Sequence, residues 1–111
     1  MVHTVTTERR QHRRYLIEGK AVIRTSAGQW EGRLVDVGAG GILLLSRVAS
    51  VRVGEPIEVR FAIEGYPLEI QAAGRVARTD SYAIGIVFAE TPAELEEVLL
   101  WLEANFLAAL I

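Results

Sequence analysis

The chain has 111 residues and a formal net charge of −2, from 12 basic and 14 acidic side chains, and half of its residues are apolar. That length supports one domain with a single core, and the composition excludes disorder over most of it. It has no cysteine and only two histidines, His3 and His12, both near the N-terminus. This excludes a disulfide framework and a thiolate nucleophile, and leaves almost nothing for a Ser-His-Asp triad or an imidazole metal site.

The charge is unevenly placed. Residues 1–14 carry Arg9, Arg10, Arg13 and Arg14 against Glu8, a balance of +3, whereas the remaining 97 residues carry −5. Eleven of the twelve basic residues are arginine, with Lys20 the one lysine, which fits forked recognition of phosphate or guanine better than diffuse attraction. Residues 1–14 therefore read as a flexible basic arm, and residues 15–111 as one domain with a barrel over about 15–90 and a helix over about 92–110. No apolar run approaches the roughly 20 residues of a membrane span, and no signal-peptide core follows Met1. The expectation is a cytoplasmic domain without membrane insertion.

After the arm come short β runs at regular spacing. Lys20–Thr25 is rich in β-branched residues and ends at the Ser26-Ala27-Gly28-Gln29 turn. Trp30–Val37 follows, closed by Gly38-Ala39-Gly40-Gly41. Ile42–Leu45 is wholly apolar, as expected of a buried central strand. Residues 46–54 form a connection. Over Pro56–Ile63 the apolar Ile57, Val59, Phe61 and Ile63 alternate with Glu58 and Arg60, the signature of a half-buried strand. A turn at Glu64-Gly65-Tyr66-Pro67 leads into Leu68–Thr79, where Gly74 marks a bend or bulge. Asp80-Ser81 turns the chain into Tyr82–Phe88. Six antiparallel strands with glycines at the corners predict a mainly β fold, a six-stranded antiparallel β-barrel that leaves no open edge. Thr91, Pro92 and Glu94 form a capping box. Leu95, Val98, Leu99, Leu102, Phe106 and Leu110 then recur at helical spacing, giving a C-terminal α-helix. Leu100, Trp101 and Leu107 widen its apolar stripe, either to cover the barrel mouth or to meet a partner.

No pair of carboxylates is spaced for acid–base work, and Gly38-Ala39-Gly40-Gly41 leads into a strand where a phosphate-binding loop needs Lys-Ser/Thr and a helix. An enzyme is not expected, nor a cofactor or a metal site. Two features remain. Asp36 can accept hydrogen bonds from guanine N1–H and its exocyclic amine. The glycines after it let backbone N–H groups approach an anion as a nest. Arginine reads O6 and N7 of guanine or clamps phosphate. Arm and turn together describe a site for a guanine nucleotide with more than one phosphate. Single-stranded nucleic acid fits poorly, because the barrel is net acidic and has few aromatics.

The pair Arg10-x-x-x-Arg14, a strand, and then Asp36-Val37-Gly38-Ala39-Gly40-Gly41 in place of D/N-x-S-x-x-G resemble the PilZ domain, a bacterial receptor for cyclic di-GMP. The Gly85-Ile86-Val87-Phe88 strand and the closing helix extend the resemblance over nearly the whole chain. It implies that Arg10 and Arg14 grip phosphate and guanine with Arg9 beside them, that Asp36 bonds a guanine edge, and that Gly41 keeps the turn open. It also implies an arm that orders on binding. Gly38 stands where the family has serine, and the missing hydroxyl weakens binding roughly 2- to 150-fold on the scale of one hydrogen bond. His12 reads as a solvated arm residue, while spacing does not place Arg78 or Tyr82. The alternative is a PilZ-like module without nucleotide binding, acting through a protein partner or self-association on its C-terminal helix.

Overall fold

The computed structural model describes residues 13–47 and 51–109, with helical side chains described as far as Asn105. It has seven strands, β1 (Arg14–Leu16), β2 (Gly19–Thr25), β3 (Gly28–Gly38), β4 (Gly41–Leu45), β5 (Pro56–Ile63), β6 (Glu69–Thr79) and β7 (Ala83–Phe88), then one helix, α1 (Ala93–Ala109). All strand pairs are antiparallel, in the order β1-β3-β2-β5-β6-β7-β4, and β3 also pairs with β4. Strands β2 to β7 thus close a six-stranded barrel. β1 lies outside the ring, pairing with β3 over Asp36–Gly38 beyond the last β2 partner, Arg33. The six barrel strands match the sequence expectation. β1 does not, since it forms at Arg14–Leu16 where the basic arm gives way to the domain; three residues are too few to carry a period of their own.

A barrel of six strands has room inside only for side chains. Ile23, Val37, Ile42, Leu44 and Ile70 are fully buried there, as are Leu95 and Val98 of α1, which close one end. β5 shows the predicted alternation at every position. β4 departs from expectation: Ile42 and Leu44 point inward, Leu43 is half-buried, and Leu45 is 47% exposed, so its apolar run has an inner and an outer face.

Narrow closure brings backbones together where glycine stands. A Cβ on Gly41 would lie 2.2 Å from the Ile86 carbonyl oxygen, and one on Gly74 would lie 2.1 Å from that of Val87. Gly74 therefore serves close approach. The β6 bulge falls two residues later, between Val76 and Arg78, and a second lies in β3 between Leu34 and Asp36.

The helix start also differs from the sequence reading. Thr91 donates its hydroxyl to the Ala39 carbonyl (2.7 Å), tying the entrance of α1 to the β3–β4 turn, while among the described residues Thr91 and Glu94 do not form the reciprocal bonds of a capping box and α1 begins at Ala93. Trp101 packs on Tyr66 with ring centroids 5.2 Å apart, over the Gly65 turn, where φ is +89°. It is thus part of the barrel cover, and Leu100, 72% exposed, is left as the outward apolar residue. Leu107, Phe106 and Leu110 lie outside the described side chains.

Gly41→Ala is expected to destabilise the fold by about 1–3 kcal/mol, because β4 and β7 must part to admit the methyl group. Urea unfolding without ligand checks this, the midpoint falling while the slope stays unchanged.

Candidate functional site

β1 brings Arg14 beside the glycine turn. Its Cα pairs with Gly38 and that of Leu16 with Asp36. The Arg14 guanidinium donates two hydrogen bonds to Asp36 Oδ1, from Nε at 2.8 Å and from Nη2. The two side chains are only 24% and 18% exposed, which screens this pair from water more than an ordinary surface ion pair.

Asp36 faces outward because of the bulge. Strict alternation from the inward Leu34 would direct residue 36 into the core. The extra residue, Val35, shifts the phase, so that Asp36 pairs with Leu43 on the outer face while Val37 is fully buried. The β6 bulge has the same effect at Arg78, which pairs with the outward Gly85 while Val76 stays in the core. Asp36, Leu43, Gly85 and Arg78 therefore stand in one cross-strand row. A single strand's sequence does not show a bulge, which is why spacing left Arg78 unplaced. Tyr82 lies elsewhere, on the rim of a groove of about 930 Å³ with Lys20, Arg33 and Arg47, its ring 5.7 Å from the Arg47 guanidinium carbon.

The turn uses its small residues for close approach. Gly38, Gly40 and Gly41 all lack positive φ. A Cβ on Gly38 would sit 2.7 Å from the Arg13 carbonyl oxygen, so glycine at this position is what lets the chain before β1 lie against β3. Phe88 N–H donates to the Gly40 carbonyl (2.9 Å) and Thr91 to that of Ala39, fixing the turn from two sides. Of the sequence candidates, the structure brings together Arg14, Asp36 and Gly38. Gly41 stands beside them with its backbone against β7. Arg9, Arg10 and His12 lie outside the described residues.

Sequence reasoning missed Glu103. This α1 carboxylate accepts hydrogen bonds from Arg13 Nη1 (3.1 Å) and from the Tyr15 hydroxyl, joining the base of the arm to the helix. No local pattern signals a contact spanning 88 residues. The hydrogen bond to Glu103, followed by burial and by the negative charge of Glu103, raises the Tyr15 pKa above the ordinary tyrosine value.

The PilZ domain family model matches residues 8–104, and the chain belongs to that family. No curated protein matches it. Among solved structures it is similar to the Bacillus subtilis inhibitor of motility MotI/DgrA (TM-score 0.71, 18% identity), covering 91% of this chain and 51% of that one, so it spans about half that protein's length. It is equally similar to the Escherichia coli YcgR PilZ domain with cyclic di-GMP (TM-score 0.71, 12% identity), covering 87% and 93% of the two chains. The PilZ domain of CeSA from a cellulose-synthesising bacterium matches at a TM-score of 0.63 and 16% identity, over 84% and 97%. At such identities these likenesses show the fold. Among the described residues no helix is long and apolar enough to cross a membrane.

Two outcomes are expected. Restoring serine with Gly38→Ser displaces the Arg13 carbonyl and loosens β1, so hydrogen exchange at the Tyr15 and Ile17 amides accelerates while barrel amides are unaffected. In the second, Glu103→Ala returns the Tyr15 pKa toward the ordinary value. Because that pKa is raised in the fold, the linked stabilisation is present at neutral pH and is lost as pH rises through the folded value. The difference in tyrosinate absorbance between wild type and Glu103→Ala across a pH titration resolves the shift.

Proposed function

We propose that the chain is a cyclic di-GMP receptor that binds the nucleotide between its arginine arm and the Asp36–Gly41 turn, in the cytoplasm and without catalysing a reaction. The observation that carries this reading is the Arg14–Asp36 pair. The second arginine of the arm motif and the aspartate of the turn motif, 22 residues apart, meet on the outer barrel face. The family and the nucleotide held by its YcgR relative support the choice of ligand.

In the free protein Asp36 neutralises Arg14. A nucleotide offers each of them a better match. Its phosphate or the O6/N7 edge of guanine takes the Arg14 fork, and guanine N1–H and the exocyclic amine donate to the Asp36 carboxylate. Exchange of one ion pair for two charge-assisted contacts leaves no buried charge unpaired. Arg9 and Arg10 add their guanidinium groups from the arm, with Gly38 and Gly41 holding the turn. Ordering of the arm around the ligand is the output, passed to a protein partner.

Calorimetric titration with cyclic di-GMP, with GTP and cyclic di-AMP as controls, tests this. Selective saturable binding is expected. Arg14→Ala is expected to weaken it about 10- to 150-fold, the range of a charge-assisted contact. Asp36→Asn, which keeps an acceptor oxygen, is expected to lose less than Asp36→Ala. Unchanged affinity in Arg14→Ala sinks the site. Absence of binding in the wild type favours the second reading, an interaction module, for which the exposed Leu100 of α1 is the specific observation.

A further inference from the structure

We infer that Arg78 forms the far end of the nucleotide face and stacks its guanidinium plane on a guanine base. This deepens the cyclic di-GMP reading and rests on it.

Three observations place Arg78 there. The Val76/Arg78 bulge turns an arginine outward that strict alternation from Val76 would send into the core. The row Asp36, Leu43, Gly85, Arg78 then puts it on the same outer face as Asp36, three strand spacings away, or about 14 Å. Finally, its side chain lies along the barrel surface. Measured from where a Cβ of Gly85 would be, Arg78 Cγ is at 3.0 Å, Nε at 3.4 Å and Cδ at 3.7 Å. The stem thus lies over Gly85 of β7, on the outer surface of the sheet.

Its chemistry fits a base. Among the described residues no hydrogen bond or ion pair engages this guanidinium. A guanidinium carried on a stem held along the surface has its plane free to meet a ligand, and arginine planes stack on purines. Leu43, half-buried and apolar, lines the surface between it and Asp36. A ligand with two guanines on one phosphate ring suits such a face, one base edge-bonded at Asp36 and the other lying on Arg78. Gly85 is the positioning residue, since any side chain there would lift the Arg78 stem.

The experiment is calorimetric titration of the full chain with cyclic di-GMP, comparing wild type, Arg78→Ala, Arg78→Lys, Gly85→Ala and Gly85→Ala/Arg78→Ala. Thermal unfolding serves as a control for folding. Arg78→Ala is expected to weaken binding between five- and a hundredfold. Arg78→Lys, which keeps the charge without the plane, should lose nearly as much. Gly85→Ala should weaken binding in the wild-type background and add nothing once Arg78 is gone. Wild-type affinity in Arg78→Ala, with binding otherwise intact, overturns the assignment of this residue alone. Full affinity in Arg78→Lys overturns stacking in favour of a charge contact. No binding by the wild type overturns both this inference and the cyclic di-GMP reading.

Discussion

Closing six strands into a ring is the constraint from which the rest of the structure follows. A six-stranded barrel is too narrow for anything but side chains, so its strands must bend sharply and its backbones must approach closely at the seams. Gly41 and Gly74 meet the second demand, each facing a carbonyl of the neighbouring strand with no room for a Cβ. The bulges at Val35 and Ala77 meet the first. Each bulge also moves a charged residue from core phase to surface phase. Without Val35 as an extra residue, Asp36 would take the inward place that Val37 fills. The device that curves the sheet therefore builds the polar face, and a carboxylate can stand next to a fully buried valine without strain on either.

The same geometry fixes the base of the arm. β3 is long enough to pair with β2 over its first half and with β1 over its last three residues, which leaves an edge that only a short strand can occupy. Gly38 lets the preceding chain come close, Arg14 reaches Asp36, and Arg13 and Tyr15 reach Glu103 on α1. The helix in turn is tied to the turn after β3 by the Thr91 hydroxyl. Arm, turn and helix thus form a closed set of contacts around one end of β3. On the proposed reading, a ligand that draws Arg14 away from Asp36 acts on a segment whose neighbouring residues already hold the helix, so a change at the nucleotide face reaches α1 through direct contacts.

Much of the fold was legible because it depends on local pattern. The alternation of Pro56–Ile63 specified an inward Val59 and Phe61, and the structure places both in the core. The arginine spacing and the aspartate-glycine turn singled out Arg14 and Asp36 before any geometry was known. What was not legible depends on pairing between distant segments. Strand β1 has no period to read because partners on β3 define it. The reading of Ile42–Leu45 as wholly buried failed because an apolar run does not say whether its second face meets core or solvent. The helical spacing left Trp101 between covering the barrel mouth and meeting a partner, and the placement of Tyr66 and Gly65 shows that it covers the barrel. Thr91 matched a local capping signature, and the bond its hydroxyl donates to the Ala39 carbonyl, 52 residues away, has no local signal.

The loss of the family serine also takes on a physical meaning. Read from the motif, Gly38 is a missing hydroxyl and so a weaker site. In the fold, the absent Cβ is what allows the Arg13 carbonyl to lie against β3, and with it the strand that delivers Arg14 to Asp36. A serine there would add one donor and push away the segment carrying the arginine. On the proposed reading, a hydroxyl facing a phosphate and the Arg14 guanidinium would each make a charge-assisted contact worth about 1.5–3 kcal/mol, so a serine that displaces the arginine offsets its own gain. Glycine at position 38 is consistent with a site that draws its affinity from guanidinium groups, in a chain whose basic charge is almost entirely arginine.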